Sequence, residues 1–159
     1  MGDIYPQKPS SLCLNELFLP LEKLYSEQVV AGIAFRAGKI FFEDLIRKKG
    51  KQMGLLRLEY RTLPTSQRIY NGLLILANNI GNLLSIDIET SKNEEGWYWH
   101  TLLPRDDTSR TQFYPPCFFL AGLIKAYISW ATGEKTHIIT NSTTIMNTSL
   151  SCKIEVMKP

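Results

Sequence analysis

Apolar residues recur along this chain at spacings that switch from helical to strand-like, and the switches divide it into elements. The last third carries the sharpest pattern. In YPPCFFLAGLIKAYISWATG (114–133), Phe118, Phe119, Leu120, Leu123, Ile124, Ile128 and Trp130 cover most of a helical cylinder, with Lys125 its only full charge. A helix apolar all round belongs in a core or an interface. Pro115 and Pro116 suit its first turn, where their missing N–H groups cost nothing, and Gly133 stands at a natural C′ position. Two runs follow, THIITNSTT (136–144) and SLSCKIEVM (149–157). In the second, Leu150, Cys152, Ile154 and Val156 alternate with Ser151, Lys153 and Glu155, the period of a strand with one packed face and one wet face.

Upstream the spacing is helical. Ser10 or Ser11 is placed to cap a helix carrying Leu14, Leu17, Leu21 and Leu24, which Pro20 should kink or divide. From Val29 to Lys49, Val30, Ile33, Ala34, Ala37, Ile40, Phe41 and Leu45 recur at helical intervals, with Glu43–Arg47 and Asp44–Lys48 as i,i+4 pairs and Gly50 as the stop. The stretch 51–66 fits helix and strand equally. A third helix is predicted from about Gln67 to Asn79 on Ile69, Leu73, Leu76, Ala77 and Ile80, leaving at Gly81. Leu84, Ile86 and Ile88 then alternate like a strand, SKNEEG turns the chain, and WYWHTLLP continues it as an aromatic strand. The polar segment 105–113 reads as a mobile loop, and residues 1–10 as a mobile N-terminus before a single domain over 11–159. The order predicts an α/β (α+β) fold: a mainly antiparallel four-stranded sheet with helices packed on one face.

Composition narrows the function. With 159 residues and 18.2 kDa the chain is long enough to bury a core without staples. A net charge of +3 comes from scattered Lys and Arg residues, which argues against nucleic acid as a partner. No basic-then-apolar leader opens the sequence, and no apolar run reaches the length of about 18 residues that spans a bilayer, so the expectation is a soluble, cytoplasmic protein without a transmembrane segment. Cys13, Cys117 and Cys152 lack CxxC spacing and read as reduced, mostly buried thiols rather than a disulfide framework. The sequons at Asn141 and Asn147 read as a polar turn in that compartment.

The order of elements, with GIAFRAGKIFFEDLIRKKG (32–50) and the Pro-Pro helix followed by two strands ending in CKIEV, resembles the 4-vinyl-reductase domain family, which shares its fold with the core subunits of the TRAPP tethering complex. The resemblance covers most of the domain. It implies a homodimer and either a bound hydrophobic small molecule, with a non-covalent tetrapyrrole as the leading candidate, or assembly with protein partners. Zinc-binding relatives carry Glu-x-x-Cys and a further Cys eight residues on. Only the last of these matches here, at Cys152, while Asn141 and Thr144 occupy the other two positions. Neutral Asn and Thr are poor replacements for a carboxylate and a thiolate, so no structural zinc is expected. Nor does the matching region 48–54 hold the cysteine that some tethering subunits acylate.

The residues themselves offer little chemistry. His100 and His137 have no Asp/Glu or Ser/Cys partner at motif spacing, and no GxGxxG, GxxxxGK[ST], HExxH or GxSxG is present, so an enzyme is disfavoured. His100 after Trp97, Tyr98 and Trp99 suggests either an aromatic wall with an imidazole ligand for a ring system or a packed strand with His100 bonded at its edge. Trp97, Trp99, His100, Phe118 and Phe119 are therefore the ligand-contact candidates. Cys117, at a helix N-terminus, is reactive only if solvent reaches it. Asp106 and Asp107 read as solvated, and Arg47, Lys48, Lys49 and Lys51 as complements to a helix dipole. Two functions follow. One is a non-catalytic carrier or sensor of a hydrophobic ligand, by resemblance a chlorophyll-precursor tetrapyrrole in photosynthetic-complex biogenesis. The other is a dimeric scaffold or assembly factor whose small-residue face, Gly32, Ala34, Ala37 and Gly38 with Phe41, pairs with a second copy.

Overall fold

A computed structural model describes residues 11–104, 113–133, 137–145 and 149–159. The mobile stretches expected at 1–10 and over most of 105–113 lie outside the described residues, as do Ser10, Asp106, Asp107 and Asn147. The elements are α1 (Ser11–Leu24), α2 (Glu27–Met53), α3 (Leu58–Arg61), α4 (Thr65–Leu84), β1 (Ile88–Lys92), β2 (Gly96–Pro104), α5 (Pro115–Thr132), β3 (Ile139–Ile145) and β4 (Ser149–Met157). All strand pairs are antiparallel, in the order β1-β2-β4-β3. The α+β architecture with helices on one sheet face is as expected.

Strand parity sorts the sheet into two faces. Trp97, Trp99, Thr101 and Leu103 of β2 stand opposite Val156, Ile154, Cys152 and Leu150 of β4, and all eight are buried. Tyr98, His100, Leu102, Ser151, Lys153 and Glu155 occupy the other, wetter face. The alternation in SLSCKIEVM is thus realised residue for residue. The β1–β2 turn is held by Asn93, whose Oδ1 accepts from the Glu95 and Gly96 amides at 2.8 and 3.0 Å.

Helix α5 begins at Pro115 and ends on Gly133, which takes a left-handed φ of 71° and donates its N–H to the Ser129 carbonyl. It lies between the sheet and α2, and Leu120, Leu123, Ile124, Tyr127 and Ile128 have no solvent exposure. Helices α2 and α5 meet backbone to backbone. A Cβ on Gly38 would strike the Phe119 carbonyl, and one on Gly122 would strike the Phe35 carbonyl. These reciprocal glycines let the two helices approach more closely than side chains permit. The small-residue face is therefore used inside the chain: Ala34 is fully buried and Gly38 is buried against α5, so neither is available to a second copy.

Three features differ from the sequence reading, two of them for one reason. Helix α2 runs through Gly50 to Met53, with Gly54 (φ 91°) as its cap, and α4 runs through Gly81 to Leu84, capped by Ser85 at φ 55°. Leu84 and Ile86 are accordingly not strand residues. Gly50 and Gly81 seat returning chain: an added Cβ would press on the Leu56 side chain or the Ile86 carbonyl. The third difference is α1, which continues through Pro20 and packs Leu14 and Phe18 inward. In the undecided stretch 51–66, the structure places the end of α2 and the single turn α3.

The glycine contact makes a direct prediction. Gly38→Val and Gly122→Val should each cost about 3 kcal/mol or more in chemical denaturation, because overpacking here meets backbone that cannot rotate away. Gly32, with no neighbouring atom within 4 Å, provides the control: Gly32→Ala should be neutral or stabilising by up to about 1 kcal/mol. Equal effects at the three sites would contradict the close helix contact.

Candidate functional site

The five ligand-contact candidates do not form one site. Trp97 and Trp99 project to the inner face of β2, 4% and 1% exposed, whereas His100 projects to the outer face. An imidazole on the far side of the sheet cannot serve a ring held against those indoles, which corrects the aromatic-wall reading. The edge alternative fits better: His100 Nε2 lies 2.6 Å from Ser151 Oγ. Phe119 is buried at the helix seam with its ring 5.5 Å from that of Phe41 and 6.4 Å from that of Phe18, and Phe118 packs toward Phe113 at 5.7 Å.

The His100–Ser151 contact is a pair that sequence spacing could not reveal, because the pairing of β2 with β4 joins residues 51 positions apart in the chain. It does not make a nucleophile. Glu89 stands directly across β1 from His100, yet no carboxylate lies within ion-pairing distance of the imidazole among the described residues. The pair sits on a sheet face and, among the described residues, lines neither of the two grooves described below. His137, the second histidine, is buried beside Trp97, with ring centres 6.4 Å apart, and its carbonyl accepts from Lys125 Nζ at 2.7 Å.

The cysteines overturn an expectation. Cys117 and Cys152 form a disulfide with Cα atoms 5.9 Å apart, joining the first turn of α5 to β4, and both are fully buried. The reading of reduced thiols is wrong at these two positions. Cys152, the one position matching the zinc-binding relatives, is committed to Cys117, and Asn141 and Thr144 fall on opposite faces of β3. Both features were partly legible: parity turns Cys152 inward, and Cys117 opens the helix that covers that face. Cystines persist mainly in oxidising compartments, so the cysteine argument for a cytoplasmic location is lost.

Two surface regions have the geometry of interaction sites. The first is an open groove of about 660 Å³ between α2 and α5, lined by Ala37, Ile40, Phe41 and Phe119 with Glu43, Asp44 and Arg47 along one edge. It brings together Phe119 from the ligand candidates with Ala37 and Phe41 from the dimer candidates. Along the same helix Val29, Ile33 and Ile40 are 45, 37 and 65% exposed; Gly32, Leu17, Leu24 and Tyr25 are exposed as well. Asp44 bonds Lys48 at 2.7 Å and Arg47 at 2.6 Å, and these two cations, Lys48 first, hold its carboxyl below the usual range.

The second region lies where the start of α4 meets the end of α5. Tyr60 and Tyr127 place their hydroxyls 2.8 Å apart, and each reaches the Arg68 carbonyl, at 3.0 and 2.8 Å. Gly72 leaves the space that the Tyr127 hydroxyl fills. Burial raises the pKa of both phenols, that of Tyr127 strongly. Arg68 donates to the Ala131 and Leu63 carbonyls at 3.0 and 2.9 Å. Sequence reasoning singled out none of these three residues, because a tyrosine pair is recognisable only once α5 lies on α4.

No protein-family model matches the chain, and a search of curated proteins also returned no match.

Two measurements follow. Reducing the cystine, or replacing it with Cys117→Ala and Cys152→Ala together, should lower stability by about 3–4 kcal/mol, the loop-entropy value for a closure of 35 residues; non-reducing peptide mapping should recover the linked peptides, and free thiols at both positions would refute the link. Because the phenols are bound as neutral groups, the unfolded chain loses their protons first. Stability should therefore be constant with respect to these groups below pH 10.0, the ordinary tyrosine value, and fall as pH rises above it. Tyr127→Phe should flatten that alkaline fall, and an unchanged slope would remove the tyrosine pair as its source.

Proposed function

We propose that the protein is a non-catalytic assembly module that pairs with a second copy of itself through the exposed face of α2. The observation carrying this reading is the apolar stripe Val29, Ile33 and Ile40, which runs into the groove beside Phe41 on a helix whose opposite side is buried against α5. Contiguous apolar surface of this kind marks interaction sites. Charge placement favours a second copy as the occupant. In an antiparallel crossing centred on Ile40, Arg36 one turn before it meets Asp44 of the partner subunit, one turn after, and the two-fold repeats the contact. The interface expectation is thereby revised: Ala37 and Phe41 remain with the exposed Gly32, while Val29, Ile33, Arg36 and Ile40 replace Ala34 and Gly38. The resemblance to tethering-complex subunits supports the same class of function.

A second reading keeps the groove and changes its occupant. The walls of Ile40, Phe41 and Phe119 and a volume of about 660 Å³ suit a hydrophobic small molecule, within the usual range of ligand sites. The tetrapyrrole identity and the role in photosynthetic-complex biogenesis rest on the family resemblance alone. Such a ligand would lie along α2, away from Trp97 and Trp99. Likewise, the cytoplasmic placement remains an expectation from the sequence; among the described residues no helix is long and apolar enough to cross a membrane.

Light scattering separates the readings. The first expects a species of twice the 18.2 kDa chain mass at micromolar concentration, and expects Ile40→Asp to halve it without altering the circular dichroism. A strictly monomeric wild-type protein at high micromolar concentration rules out self-pairing. If that monomer then shifts the absorbance of added chlorophyllide, haem or a bilin, and Phe41→Asp abolishes the shift, the ligand reading takes its place.

A further inference from the structure

Arg68 and Arg61 line one pocket of about 330 Å³ with Leu56, Tyr60, Trp130 and Ala131, at the junction of α3, α4 and α5. Among the described residues neither guanidinium has a carboxylate within ion-pairing distance. The carbonyls that hold Arg68 belong to Leu63 and to Ala131 in the last turn of α5, and a helix C-terminus supplies only about half an elementary charge. Two full cations therefore face roughly half a negative charge. Arg68 is also short of a hydrogen bond, since its buried Nε has no acceptor among the described residues. Arg68 is half-buried, and a half-buried cation without counter-charge is uncommon, because the protein interior offers less solvation than water.

The other lining side chains, Leu56, Tyr60, Trp130 and Ala131, are aliphatic or aromatic. The Trp130 ring lies against that of Tyr60 with centres 6.2 Å apart and planes 12° apart, and Trp130 is 36% exposed at the mouth. The Tyr60 hydroxyl is turned away, toward Tyr127 and the Arg68 carbonyl, so the wall presents ring rather than polar groups. Arg68 is fixed by its two backbone bonds, while Arg61 sits exposed on α3 with its side chain free to close over an occupant. Fixed and adjustable guanidinium groups over an aromatic surface are the elements from which anion sites are built.

We propose that this pocket binds a small organic anion with a planar unsaturated body, its carboxylate or phosphate held between Arg61 and Arg68 and its ring lying along Trp130. The volume sits at the lower end of ligand sites and admits a molecule of one or two rings. The pocket does not involve the α2 face, so it stands whether or not the chain pairs with itself.

Titration of the full chain with naphthoate, naphthyl phosphate and neutral naphthamide, followed by tryptophan fluorescence and by the indole N–H signal of Trp130, tests the site. Saturable binding of at least one of the two anions is expected, and because they share one ring body, which of the two binds more tightly identifies the head group as carboxylate or phosphate. Naphthamide should bind more weakly by about tenfold or more, the value of one charge-assisted hydrogen bond. Arg61→Gln, at an exposed position that leaves the fold intact, should weaken the anion by a similar factor and leave the amide unchanged. Absence of saturation with both anions at several millimolar, equal binding of the amide, or an Arg61→Gln protein that binds the anion as the wild type does would overturn the proposal.

Discussion

Burying α5 on nearly every side, with Trp130 near its C-terminal end the exposed exception, is the constraint from which the remaining structure follows. A helix with almost no polar surface must be covered by both the sheet and another helix, and the cover must fit closely because voids forfeit contacts on one side. The sheet contributes alternate residues of β2 and β4. Helix α2 contributes a face of Ala34, Gly38 and Phe42, small enough at its centre for peptide groups to touch. Once that face is used, the opposite side of α2 is left toward solvent, which is why its apolar stripe stands exposed.

Each end of α5 has its own attachment. At the N-terminal end the cystine ties Cys117 to the strand at the sheet centre, and at the C-terminal end Tyr127, Trp130 and the Ala131 carbonyl engage α3 and α4 through Tyr60 and Arg68. Chain segments distant in sequence thus converge on one helix. The two surface regions with interaction geometry, the α2 groove and the arginine pocket, lie beside its opposite halves, the first reached through Phe119 and the second through Trp130. The His100–Ser151 pair on the outer sheet face belongs to neither region.

The sequence carried most of the architecture. The period-2 run ending in Val156, the all-apolar helix from Pro115 and the antiparallel sheet were legible because each depends on local pattern and on burial of one face. Boundaries at Gly50 and Gly81 were not, because a glycine that seats another segment and one that ends a helix look alike in one dimension. The small-residue face was recognised as a close-packing surface but assigned to a second copy; whether such a face meets its own chain is a question of topology. The cystine, the Tyr60–Tyr127 pair and the Ser151 contact of His100 join residues 35, 67 and 51 positions apart, and spacing rules have no purchase at that range. The candidate ligand residues failed as a set for a plainer reason, since adjacent strand residues such as Trp99 and His100 face opposite ways.

The enclosure of α5 predicts that it opens only when the whole fold opens. Amide hydrogen exchange measures this residue by residue. The central amides of α5, from Leu120 to Ile128, should exchange only through global unfolding, with the same free energy as the buried amides of β2 and the facing turns of α2. Exchange of those α5 amides by local opening, at a lower free energy than β2, would show that the helix is not enclosed and would contradict the account.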